Sequence, residues 1–261
     1  APLEPIRPKP APSIGDDAPQ GDQTLKRAFE ALEAQDYAHS LSLFQEALQQ
    51  GLSTKELEAA ALNMHGTYMF VMGEPKRALE DLDRSIELSP ENVQTWVKKA
   101  SVHVELGDKD AAMADFDRAV ALNADDPDIY YHRGQVHFIL GEFEAAMSDY
   151  SKSTSLDDTF IFSQVQHAVA SYKLGNIARS TAEFCRILKK FSDSSESYNY
   201  FGELMLDQQR HEDAVANFDK SIALEQAKPK GKNVLPMINK ALVLFQWMQD
   251  LPGAERLCRE G

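Results

Sequence analysis

Seven histidines and two cysteines are the residues of this 261-residue sequence whose chemistry could extend beyond packing. His132 and His137 are five apart, which turns their side chains to different sides of a helix, so the pair reads as a buried or surface feature rather than a metal site. Cys185 and Cys258 lie in apolar-patterned helical segments and are expected as small core residues. Two cysteines are too few for a disulfide framework and point to a reducing compartment. There is no G-x-S-x-G, H-E-x-x-H, Walker loop or C-x-x-C arrangement. The sequence therefore carries no catalytic constellation, implies no cofactor and no metal, and reads as a binding protein, not an enzyme.

Charge narrows the partners. Lys and Arg number 27 against 41 Asp and Glu, a net charge of −14. Nucleic-acid binding rests on cations neutralising phosphates, so the balance excludes it as the expected partner. An acidic surface suits solubility or the attraction of basic polypeptides. No apolar run of 18 residues occurs, so no membrane span is expected. The first residues, Ala1-Pro2-Leu3-Glu4, lack an initiator Met and an apolar signal core, and the chain reads as a fragment or processed form.

The elements that must position any binding surface are helices. Residues 1–22 hold prolines at 2, 5, 8, 10, 12 and 19 and read as an extended Pro-rich linker. From Leu25 the apolar residues recur at helical spacing, and from there the chain repeats itself. Gly66, Ala100, Gly134, Ala168 and Gly202 are each 34 residues apart. Gly73, Gly107, Gly141 and Gly175 keep the same period, with Gln209 in the fifth copy. So do Ala78, Ala112, Ala146, Ser180 and Ala214, and so do Leu82, Phe116, Tyr150, Phe184 and Phe218. Four registers on one 34-residue period are the signature of tetratricopeptide (TPR) repeats, each a helix A–turn–helix B unit.

Each register has a physical reason. The first small residue lets helix B approach helix A. The second Gly closes helix A at a position that favours positive φ. The Ala or Ser packs beneath helix A, and the large residue fills the space between repeats. Trp96, Tyr130 and Tyr198 share a further register in helix A. Ser89-Pro90 and Asp126-Pro127 read as helix starts, and Ser53 to Glu56 and Asp193 to Glu196 have capping-box spacing.

The expected fold is all-α, a TPR α-solenoid that winds as a right-handed superhelix. Its repeats run about 21–50, 59–92, 93–126, 127–160, 161–194 and 195–228. An incomplete seventh occupies 235–261, and insertions lie at 51–58 and 228–233. A stack ending inside helix B lacks a polar cap, so the natural protein is expected to continue.

In such a stack, inner-face positions of successive A helices line a concave groove. One row is Phe70, Val104, Phe138, Tyr172 and Leu206; a second is Asn63, Val97, Tyr131, Val165 and Asn199; a third is Thr67, Ser101, Gln135, Val169 and Glu203. An apolar, aromatic strip of this kind marks a protein contact. Its amides Asn63, Gln135 and Asn199 could bond the backbone of an extended peptide. A clamp for a chaperone's C-terminal carboxylate would need basic residues here. The corresponding positions read Asn63, Thr67, Val97, Ser101, Asp128 and His132, and the cations are missing.

Residues between the registers narrow the family. Trp96-Val97-Lys98-Lys99-Ala100-Ser101, Asp128-Ile129-Tyr130-Tyr131-His132-Arg133-Gly134-Gln135, Leu188-Lys189-Lys190-Phe191, Phe245-Gln246-Trp247-Met248-Gln249-Asp250-Leu251 and the linker Arg7-Pro8-Lys9-Pro10 resemble the large TPR receptor of the translocase of the outer mitochondrial membrane (TOM complex), in its fungal form. The resemblance covers essentially the whole chain and matches the linker and the first part of that family's C-terminal core. It implies a protein facing the cytosol from the outer membrane. It also implies partners: carrier-type preproteins with internal targeting signals bound by the core, other TOM subunits, and Hsp70 and Hsp90 docked on a three-repeat clamp domain upstream of this segment. Two other functions fit a bare TPR array. One is a co-chaperone or assembly scaffold, which would bind folded partners or chaperone tails. The other is the substrate-recruiting arm of an enzyme, which would need a catalytic domain beyond Gly261.

Overall fold

A computed structural model describes residues 11–229 and 232–260. Most of the Pro-rich linker (residues 1–10) and the centre of the 228–233 insertion (230–231) lie outside the described residues. The described chain is all helical: fourteen α-helices and no strand. It divides into two compact units at the turn after residue 140.

The first unit holds α1 (Gln20–Glu33), α2 (Tyr37–Gln50), α3 (Lys55–Val71), α4 (Pro75–Leu88), α5 (Val93–Glu105), α6 (Lys109–Leu122) and α7 (Pro127–Ile139). Three apolar clusters lie along it, and in each a helix A packs on a helix B. Leu25 and Ala28 meet Phe44 and Ala47, Met69 meets Ala78 and Leu82, and Val97 and Ala100 meet Ala112 and Phe116. The second unit holds α8 (Phe143–Leu156), α9 (Ile161–Lys173), α10 (Ile177–Lys190), α11 (Ser195–Asp207), α12 (His211–Ala227), α13 (Leu235–Gln246) and α14 (Leu251–Glu260). Val165, Phe184, Met205, Phe218 and Val243 form its main core, and Met237, Leu244 and Leu257 form a second.

The 34-residue registers do in space what their chemistry requires. Leu82, Phe116, Tyr150, Phe184 and Phe218 are all buried. At Gly202 the approach is closest: a Cβ there would stand 2.6 Å from the Phe218 ring. Gly73, Gly107, Gly141 and Gly175 have φ of 77–82°. Gln209 takes the same left-handed turn at 61° with a side chain. Ser180, the serine of the Ala/Ser register, bridges helices by donating from Oγ to Ala168 O at 2.7 Å, and outside that register Ser85 Oγ donates to Ala59 O at 2.8 Å and Ser221 Oγ to Ser195 O at 2.7 Å.

Several local expectations need correction. Asp126 does cap α7, accepting from Asp128 N at 3.0 Å with Pro127 behind it. Ser89, however, ends α4, and α5 starts four residues later at Val93, after Asn92. The caps of α3 and α11 are Thr54 and Ser194, each one residue beyond the expected Ser53 and Asp193. Ser53 instead holds the buried carboxylate of Asp22, through its amide at 2.9 Å and its hydroxyl at 2.5 Å, and so ties α1 to the start of α3. Cys185 and Cys258 are both exposed, because their helices turn Phe184 and Leu257 inward in their place.

Candidate functional site

The positions expected on an inner face separate by depth. In the first unit Phe70, Val104 and Phe138 are half-buried, presenting part of each side chain to solvent. Asn63, Val97 and Tyr131 are buried, as are Ser101 and Gln135, while Thr67 is half-buried. For Asn63 the cause is helix-to-helix packing: it lies two turns into α3 and meets Thr95 and Lys98 of α5.

The buried amides are already bonded. Asn63 Nδ2 donates to Thr95 Oγ1 at 2.7 Å, and Asn63 Oδ1 accepts from Lys98 Nζ at 2.6 Å. Gln135 Nε2 donates to the Tyr131 hydroxyl at 3.1 Å, and its Oε1 lies 3.1 Å from His132 Nδ1. Asn63 thereby ties α3 to α5, whereas Gln135 is bonded within α7, and both amides are already engaged. His132 is buried in this network, its ring edge-on to Tyr131.

Lys98 has the sharpest electrostatics of this face. Its ammonium meets the Asn63 amide and, at 3.8 Å, the Met64 sulfur, and among the described residues no carboxylate pairs with it. Loss of hydration pulls its pKa down to about 7.

In the second unit Tyr172, Leu206 and Val169 are half-buried, and Val165 and Asn199 are buried. Asn239 Nδ2 donates to Asn199 Oδ1 at 3.0 Å and to Glu203 Oε1 at 2.8 Å, while Asn199 Nδ2 reaches Glu203 at 2.9 Å. Burial pushes the Glu203 carboxyl up, against the pull of the two amides. Burial likewise raises the Tyr172 hydroxyl, helped by the negative charge of Asp207.

Two apolar strips escaped the reading of the sequence. In the first unit, Val71 (77% exposed), Met72, Leu106, Ile139 and Leu140 stand at the C-terminal ends of α3, α5 and α7. They directly follow Phe70, Val104 and Phe138 or lie close after them. The available signal was an apolar residue just before each helix-closing Gly. In the second unit, Leu235, Ile238, Leu242 and Phe245 are exposed on one face of α13. Ile238, Leu242 and Phe245 lie 39 residues beyond Asn199, Glu203 and Leu206, so they hold the same places in α13 as those residues hold in α11 once the 228–233 insertion is allowed for.

Other interactions also went unread. His65 and Asp81 (2.7 Å), His103 and Asp115 (2.9 Å), and His167 and Glu183 (3.0 Å) each join helix A to helix B of one repeat.

Comparison with known proteins agrees with the geometry. A TPR-repeat model matches residues 100–141 and a tetratricopeptide-repeat model residues 127–160. The chain is thus a TPR solenoid, as its paired helices and buried registers require. The mitochondrial import receptor subunit TOM70 of Mus musculus is 30% identical over 99 residues, and that of Rattus norvegicus 29% over the same length. Each match takes in 35% of this chain and 15% of the relative. The crystal structure of yeast Tom70 superposes with a TM-score of 0.86 at 25% identity, over 98% of this chain and 55% of that one. A TPR protein of Parabacteroides merdae shares the fold at TM-score 0.68 and 16% identity, over 92% of this chain and 91% of its own. The chain is a Tom70-like TPR domain, spanning little more than half the yeast structure and far less of the curated relatives.

Proposed function

We propose that this chain is part of the receptor core of a mitochondrial protein import receptor. It binds hydrophobic preproteins with internal targeting signals along its inner A-helix faces, at the cytosolic side of the outer membrane. The single observation that carries this reading is the partly exposed row of Phe70, Val104 and Phe138 in one unit and of Tyr172 and Leu206 in the other. The exposed ends of the A helices and the outward face of α13 extend the apolar area. The likeness to the Tom70 receptors supports the assignment. An apolar strip of this size shields apolar segments of an unfolded guest by removing their surface from water, and shape rather than directed hydrogen bonds sets the selectivity. In this reading Asn63, Tyr131, Gln135, Val165 and Asn199 form the floor that fixes the geometry and do not touch the guest.

Partners follow the same reading: carrier-type preproteins, other subunits of the translocase, and Hsp70 and Hsp90 through a clamp domain elsewhere in such a receptor. The work done is binding, with no chemical step. The test is equilibrium binding of carrier-derived and hydrophilic control peptides to the wild type and to Met72→Glu/Ile139→Glu and Leu242→Glu/Phe245→Glu. Weaker carrier binding in both, with circular dichroism unchanged, supports the reading. Unchanged binding in folded variants overturns it.

A further inference from the structure

A second concave surface of different chemistry lies on the helix-B side of the second unit. The cleft, about 460 Å³, is formed by α8, α9 and α10. Ser151 and Thr154 line it from α8, His167 from α9, and Arg179, Glu183 and Arg186 from α10. Ile187 is the one apolar residue in its lining, and the others bring hydroxyl, amide, imidazole, carboxylate and guanidinium groups to it.

Charge defines its sign. The chain is strongly acidic, yet α10 carries Arg179, Arg186, Lys189 and Lys190 against one carboxylate, Glu183. That carboxylate is already occupied: Arg179 Nε lies 2.9 Å from Oε1 and His167 Nδ1 lies 3.0 Å from Oε2. Buried Glu183 therefore anchors two side chains at the cleft, engaging Arg179 through Nε, and among the described residues no other carboxylate pairs with the Arg179 guanidinium. Lys190 is neutralised by Asp158 at 2.9 Å. Arg186 is exposed and meets no carboxylate among the described residues. Ser151 and Thr154, lining the cleft from α8, add uncharged hydroxyl donors to it.

Two guanidinium groups and two hydroxyls around one cleft supply more donors than a carboxylate can accept, and forked guanidinium donors match the tetrahedral oxygens of a phosphate. We propose that this cleft binds a phosphate monoester or pyrophosphate group, with Arg179 and Arg186 as the cationic contacts and Ser151 and Thr154 as hydrogen-bond donors. The site is separate from the apolar inner face and independent of the import reading. The phosphoryl group could be free or carried on a protein segment, and the same chemistry recognises both.

The test uses the 261-residue chain, titrated calorimetrically at constant ionic strength with pyrophosphate, with a phosphoserine peptide and its unphosphorylated form, and with chloride as the reference. Saturable binding of pyrophosphate or of the phosphopeptide is expected, and the tighter of the two identifies the source. Arg186→Gln, at an exposed position, should weaken that binding at least fivefold with an unchanged unfolding temperature. Lys189→Gln, on the same helix but outside the cleft, should change it less than twofold. Equal loss in the two variants would mean a diffuse field rather than a site and would overturn the proposal. So would full binding by Arg186→Gln, or no binding beyond that of chloride.

Discussion

Lys98 Nζ lies 2.6 Å from Asn63 Oδ1, which makes a neutral amide, rather than a carboxylate, the principal partner of a desolvated ammonium between α3 and α5. The folded pKa of about 7 stands below the ordinary 10.5. Below pH 7 the amine is charged in both states and the desolvation penalty is fully present. Between about 7 and 10.5 the unfolded chain binds the extra proton, so stability rises with pH across that window. Lys98→Gln keeps a donor for Asn63 and removes the charge. Denaturant unfolding at pH 6 should show a gain of about 1–2 kcal/mol, discounted for solvent screening, that fades by pH 10. A loss at pH 6 contradicts this account of Lys98.

Glu183 has the opposite sign. Burial alone would push its carboxyl up, but hydrogen bonds and positive charge from His167 and Arg179 outweigh it and hold the pKa below the usual value. Its contribution is present above pH 4.5 and is lost as pH falls through the lower folded value. Glu183→Gln should cost on the order of 1 kcal/mol at pH 7 and almost nothing near pH 2, measured by urea unfolding. An equal cost at both pH values would mean that packing, not charge, is the loss.

Gly202 and Gly73 separate two reasons for glycine. A Cβ at Gly202 meets the Phe218 ring at 2.6–3.1 Å, while at Gly73 it meets nothing within 4 Å but must tolerate φ +77°. Gly202→Ala should destabilise by about 2 kcal/mol through overpacking, and Phe218→Leu in the same chain should relieve part of it. Gly73→Ala should cost about 1 kcal/mol from backbone strain alone, with no second-site relief from α4. Thermal unfolding of the three variants distinguishes the two.

The α13 face offers a clean separation of stability from binding. Leu242 and Phe245 are 45% and 57% exposed, so Leu242→Ser and Phe245→Ser should each change unfolding free energy by less than about 0.5 kcal/mol. Binding of a carrier-derived peptide, followed by fluorescence anisotropy, should weaken several-fold in the double variant. A large stability loss would show that the face is packed in solution.

Much of the architecture was legible because it is periodic. Helix closure at Gly73, Gly107, Gly141 and Gly175, the small residues at Gly66 and Gly202, and the large residues at Leu82, Phe116 and Phe218 follow from local backbone conformation and steric size repeated every 34 residues. Helix starts were less legible. Ser53 and Thr54 are adjacent and both able to cap, and the choice of Thr54 was made by Asp22, thirty-one residues away, which takes Ser53. The candidate site could be written from the sequence only as a set of expected positions, not as a surface.

By itself the sequence determined the helix-turn-helix repeat and the all-α class, and it set out rows of positions expected on an inner face, because each depends on residues within one or two turns of one another. Only the tertiary structure decided which of those residues meet solvent. Asn63, Tyr131, Gln135, Val165 and Asn199 are covered while Phe70, Phe138, Tyr172 and Leu206 stay partly open. It alone decided that Cys185 points outward and that Glu183 gathers Arg179 and His167 at one cleft. Burial and pairing are set by neighbours a full repeat or a partner helix away, and the pattern within a single helix is the same whether or not those neighbours are there.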